Sequence, residues 1–96
     1  TIGEVSVDFK RRMAKRGAKE LFLTHYETEL LKLFLRRKGQ VLERAQILRA
    51  VWGEDDYPTN RTVDQFIVKL RQKVEKNPKK PAHIQTVHGI GYKFEE

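Results

Sequence analysis

Cysteine is absent from the 96-residue sequence, so neither disulfide bridges nor thiolate-held metals can stabilise it. That absence suits a reducing cytoplasm, which is the compartment expected for the chain. No apolar run approaches the roughly 20 residues of a membrane-crossing helix, and no signal-peptide pattern opens the chain. No membrane contact by this domain is therefore expected. Thr1 rather than Met comes first, as expected of a piece of a longer protein. Repeats and low-complexity segments are also missing, and the length suits one compact domain over residues 1–96. The signatures of catalysis are lacking too. There is no P-loop and no glycine fingerprint after a strand. His25, His83 and His88 are dispersed, without metal-ligand spacing, and His25 reads as a surface helix residue. Glu54-Asp55-Asp56 lacks the alternation of a calcium loop and reads as a solvated loop or a partner surface. Neither enzyme activity, cofactor nor metal is expected.

What is abundant is positive charge. Twenty Lys and Arg residues stand against 13 Asp and Glu, a formal net charge of +7 that draws polyanions through long-range field and counterion release. An ordinary charged surface gives the same total, so the distribution matters more. Basic residues crowd Lys10 to Lys19, Arg36 to Lys38 and Arg61 to Lys80, while three acids share one loop at 54–56.

Hydrophobic periodicity orders the chain. Val5, Val7 and Phe9 alternate with polar residues as in a half-buried strand, and Gly17 precedes a second short strand at Glu20-Leu21-Phe22-Leu23. At Thr24 the period changes. Thr24-His25-Tyr26-Glu27 has capping-box spacing, and Leu30, Leu31, Phe34 and Leu35 continue at helical spacing toward Gly39. Val41 and Leu42 make a brief extended link. A second helix carries Ala45, Ile47, Leu48, Val51 and Trp52 and ends at Gly53. Asn60 is the expected N-cap of a third helix running to about Lys76, beyond which Pro78 and Pro81 forbid continuation. Ile84–Val87 and Tyr92–Phe94 are strand-like, and Gly89 and Gly91 supply the positive φ angles of a hairpin between them.

The third helix holds the strongest chemical signal. Val63, Phe66, Ile67, Leu70 and Val74 form one buried stripe at about 100° per residue. The opposite face offers Arg61, Gln65, Val68 and Gln72, with Lys69 on its flank and the acids Asp64 and Glu75 toward its side. Arg makes paired hydrogen bonds to guanine, Gln does so to adenine, and an apolar Val68 fits a thymine methyl. A merely solvated polar face is the ordinary alternative. The hairpin adds His88, Lys93 and the hydroxyls of Thr86 and Tyr92, groups suited to phosphates or a narrow minor groove. An edge hairpin that only closes the core is the alternative there.

Arg61-Thr62-Val63-Asp64, Ile67, Leu70-Arg71, Lys73 and the run Ile84-Gln85-Thr86-Val87-His88-Gly89-Ile90-Gly91-Tyr92 together resemble the OmpR/PhoB family of response-regulator effector domains. Leu23-Thr24, Glu27, Leu30-Leu31 and Val51-Trp52-Gly53 fit as well, so the resemblance covers essentially the whole chain. It implies an α+β winged helix-turn-helix with an N-terminal antiparallel four-stranded sheet over 1–23, a three-helix core over 24–76 and a C-terminal β-hairpin wing over 83–96. It implies base contacts from Arg61, Gln65, Val68 and Lys69, backbone contacts from Thr62, Arg71 and Thr86, and wing contacts from His88, Tyr92 and Lys93. The loop Gly53-Glu54-Asp55-Asp56-Tyr57 resembles the segment that meets RNA polymerase in activators. Head-to-tail dimers on tandem direct-repeat half-sites of double-stranded DNA, and a phosphorylated N-terminal receiver domain in the parent protein, are implied too. His88, Phe66 and Val68 stand where many members carry a basic residue, His, and Arg or Lys respectively. These departures bear on target sequence and affinity more than on fold. The competing function is a protein-interaction winged helix whose basic face meets an acidic partner such as an RNA polymerase subunit.

Overall fold

The computed structural model describes residues 2–53 and 58–96. Among them are six strands and three helices: β1 (Val5–Asp8), β2 (Met13–Arg16), β3 (Lys19–Phe22), α1 (His25–Arg36), β4 (Val41–Glu43), α2 (Arg44–Val51), α3 (Asn60–Val74), β5 (Ile84–Val87) and β6 (Gly91–Phe94). The expected class, α+β with three helices and a C-terminal hairpin, is present. The expected four-stranded N-terminal sheet is not.

The strands instead form two three-stranded sheets, ordered β1-β2-β3 and β4-β6-β5. β2 escapes the periodicity because only one of its four residues, Ala14, is buried, which leaves no apolar alternation to read. The expected link Val41-Leu42 is a strand with Glu43 that pairs antiparallel with β6, placing Leu42 opposite Tyr92. The C-terminal hairpin is thus not a free two-stranded ribbon but part of a sheet tied to the helices through β4. That pairing also explains Gly91. Its φ is not positive, but a Cβ there would overlap the Leu42 carbonyl oxygen. Gly89, at φ 78°, does supply the left-handed turn.

Local chemistry fixes the helices. Thr24 caps α1 in a reciprocal box: Glu27 N–H donates to Thr24 Oγ1 at 3.3 Å, and Thr24 N–H donates to Glu27 Oε1 at 2.8 Å. α1 then buries Leu30, Leu31, Leu33 and Phe34. α2 contributes Ile47, its C-cap Trp52 is 7% exposed, and α3 contributes Val63, Ile67, Leu70 and Val74, each 1% exposed or less. Phe34 stacks on Phe94, joining α1 to the second sheet across one core. Tyr26, Trp52 and Phe66 meet ring to ring where α1, α2 and α3 converge. The core thereby fixes the attitude of α3 from three sides.

Candidate nucleic-acid interface

α3 starts and stops differently from the expectation. Thr59, not Asn60, is the N-cap, and its N–H donates to Thr62 Oγ1 at 3.1 Å. Thr62 therefore spends one hydroxyl lone pair inside the helix start. The helix ends at Val74, short of Lys76, because Glu75 turns extended at φ −92°, ψ 140°. Its buried carboxylate accepts N–H donors from Ala82 at 3.0 Å, His83 at 3.0 Å and Ile84 at 2.7 Å, orienting the approach to β5. Arg16 Nη2 donates to the Glu75 carbonyl at 2.7 Å. The prolines lie beyond a stop that Glu75 has already made. Expected at the side of the polar face, Glu75 is 1% exposed and beneath it.

The outward face of α3 presents Arg61, Gln65, Val68, Lys69 and Gln72, all exposed, with Val68 at 53%. Their spacing places them on one side, opposite the buried stripe. Lys69 Nζ lies 4.9 Å from the centre of the Phe66 ring, which supports its stem while the ammonium stays in solvent. Asp64, the other acid near this face, is bound on both sides. Tyr92 Oη donates to Asp64 Oδ1 at 2.6 Å, and Arg44 Nε donates to the same oxygen at 2.9 Å. Burial, and then the bond to Asp64, push the Tyr92 hydroxyl above its ordinary pKa, so it remains a donor. The Arg44 guanidinium is likewise raised, first by its bond to Asp64.

The wing is fastened to α3. Arg71 Nε donates to the Ile84 carbonyl at 2.9 Å and Nη2 to Thr86 Oγ1 at 2.8 Å. Its guanidinium also lies 5.6 Å from the centre of the Tyr92 ring. Burial lowers the Arg71 pKa, but an arginine remains a cation at neutral pH. Two of the sequence-predicted contacts therefore sit differently from expectation. Tyr92 is 5% exposed and turned inward to Asp64 rather than displayed on the wing. Lys93 is half-buried, with Nζ 3.2 Å from Glu95 Oε1. Thr86 and His88 are exposed, and the turn adds Ile90 at 50% exposure, which the sequence reading did not single out. Sequence reasoning also missed the junction of Arg44, Asp64 and Tyr92. Arg44 and Tyr92 are 48 positions apart, and only the β4–β6 pairing brings them together.

Of the acidic segment after α2, Gly53 is exposed at φ 67°; Glu54, Asp55, Asp56 and Tyr57 lie outside the described residues. Among the described residues no helix is long and apolar enough to cross a membrane.

The chain as a whole has counterparts among known proteins. A family model described as "Transcriptional regulatory protein, C terminal" matches residues 18–94. The chain is 37% identical over 93 residues to the sensory transduction protein RegX3 of Mycolicibacterium smegmatis, covering 97% of this chain and 41% of that protein. It thus spans about two fifths of the length of that relative. The DNA-binding domain of Escherichia coli CadC superposes with a TM-score of 0.85 at 30% identity, covering 98% of this chain and 88% of that one. The DNA-binding domain of Klebsiella pneumoniae RstA, solved in complex with the RstA box, gives 0.78 at 27% identity, covering 99% and 94%.

Proposed function

The chain belongs to the family of C-terminal domains of transcriptional regulatory proteins, of the OmpR/PhoB type, and from that premise we propose that it binds double-stranded DNA sequence-specifically to regulate transcription. α3 lies in the major groove, and the β5–β6 wing meets the adjacent minor groove or phosphates. One observation carries this reading: α3 buries its whole apolar stripe and turns Arg61, Gln65, Val68 and Lys69 outward, while both acids near that face are engaged elsewhere. The likeness to RstA, whose domain was solved on its own DNA box, supports it.

Arg61, Gln65, Val68 and Lys69 address base edges. Thr62 and Thr86 offer hydroxyls to phosphates, and Arg71, with Nε and Nη2 committed to the wing, retains Nη1 for the same purpose. His88 reaches out from the wing tip, whereas Tyr92 acts from within by holding Asp64, and Lys93, on the central strand β6, pairs with Glu95. Within a longer protein such as RegX3 the domain is the output half, coupled to a receiver. Two copies sit head to tail on tandem half-sites about 10 bp apart, and the acidic segment 53–57 meets RNA polymerase.

Selection from random duplexes tests this directly. One sequence class is expected to be enriched, and Arg61→Ala is expected to weaken that complex by about 1–3 kcal/mol and relax one base position. An enriched pool and footprint unchanged by Arg61→Ala would remove α3 from base reading.

A further inference from the structure

The turn that follows α3 carries cations to which none of these contacts gives a role. Lys76, Lys79 and Lys80 are exposed, and none pairs with a carboxylate among the described residues. The turn is a defined structure. Lys79 N–H donates to Asn77 Oδ1 at 3.1 Å, Lys80 N–H donates to the Asn77 carbonyl at 3.0 Å, and Pro78 fixes φ between them. Its two ends are held by Glu75, through the Arg16 bond on one side and the Ala82, His83 and Ile84 amides on the other. The lysines therefore project from an ordered platform.

Between that platform and α3 runs a cleft of about 380 Å³, walled by Val68, Arg71 and Gln72 on the helix side and by Asn77, Pro78 and Lys79 on the other. Val68 and Arg71 are also residues of the proposed DNA face, so the cleft continues that face rather than forming a separate one. Its chemistry suits a sugar–phosphate chain: Pro78 offers apolar contact to deoxyribose, and the amides of Gln72 and Asn77 and the ammonium of Lys79 border the path of the phosphates.

We propose that this cleft and the Asn77–Lys80 turn form a phosphate shelf that holds the duplex backbone flanking the site read by α3, with Lys79 and Lys80 as its cationic contacts. The shelf rests on the DNA-binding reading and extends the footprint beyond the helix and the wing. Backbone contacts of this kind add affinity and fix register without reading sequence.

The test is the salt dependence of binding to the selected duplex, for the wild-type chain, Lys79→Ala, Lys80→Ala and the double variant. Lys10→Ala, in the β1–β2 turn, controls for loss of charge without contact. Each shelf substitution is expected to make the slope of log K against log salt shallower by about 0.9, and to weaken binding several-fold with base preference unchanged. Lys10→Ala is expected to leave the slope as it was. Phosphate-ethylation interference is expected to mark a backbone position beside the α3 footprint that disappears in the double variant. A double variant with the wild-type slope overturns the shelf, as does an equal change from Lys10→Ala. If Arg61→Ala still relaxes the base pattern, only the shelf has failed. If the chain selects no duplex at all, the DNA-binding reading fails and the shelf falls with it.

Discussion

Glu27 is a carboxylate at 1% exposure, a position that an ionised group tolerates only when its partners are good. Burial alone raises its pKa, yet the bonds from Lys73 Nζ at 2.7 Å and Thr24 N–H at 2.8 Å carry it below the ordinary carboxylate value. The unfolded chain then takes up the proton more readily than the folded one. The stabilisation is complete above about pH 4.3 and is lost as pH falls through the lower folded value. Glu27→Gln is expected to cost about 1–3 kcal/mol at neutral pH, with the loss shrinking in acid. Thermal melts of both proteins across pH 3 to 7 check this, and a constant difference between them would remove the charge from the account. The capping half of Glu27's role was legible from Thr24-His25-Tyr26-Glu27. The Lys73 half was not, because 46 residues separate that pair and no local pattern announces the contact.

At the scale of the element, the sequence exposed what is periodic and hid what is shared between elements. The buried stripe of α3 and the polar face opposite it follow from 3.6-residue spacing, which alone turns Arg61, Gln65, Val68 and Lys69 outward. β4 shows in the sequence only as an extended link at Val41 and Leu42, because three residues with one buried side chain carry no period. The inward turn of Tyr92 was hidden for the same reason, since it depends on the opposite register of Leu42 and on Asp64. Gly91 shows how a correct residue can be assigned the wrong cause. Hairpin chemistry called for a positive φ there, whereas the constraint is the close backbone of β4. Gly91→Ala is accordingly expected to force β4 from β6 and destabilise the chain by about 1–3 kcal/mol or more. That corresponds to a drop in Tm of several degrees, at roughly 4–8 °C per kcal/mol for a domain of this size. Faster amide exchange along Val41–Glu43 should accompany it. An unchanged Tm and unchanged exchange would mean the two strands are not in the close contact described.

Across the whole molecule, the net charge of +7 names a class of partner but not a surface. Exposed cations stand both at the β1–β2 turn, with Lys10, Arg11 and Arg12, and along α3 and the turn after it. Local acids separate these regions. Asp64 is bound to Tyr92 and Arg44, and Glu75 to the amides before β5, so the α3 side keeps its positive field beside hydrogen-bonding groups of fixed spacing. The β1–β2 turn has charge without that helical frame. The measurement that separates the two surfaces is a titration of the isotopically labelled chain with the selected duplex, followed by amide shifts. Changes are expected to concentrate in Arg61–Gln72 and at the wing tip, Val87–Gly91, with little at Lys10–Arg12. Shifts centred on Lys10–Arg12, or a response only to an acidic protein and none to the duplex, would contradict the assignment of α3 as the DNA-reading element.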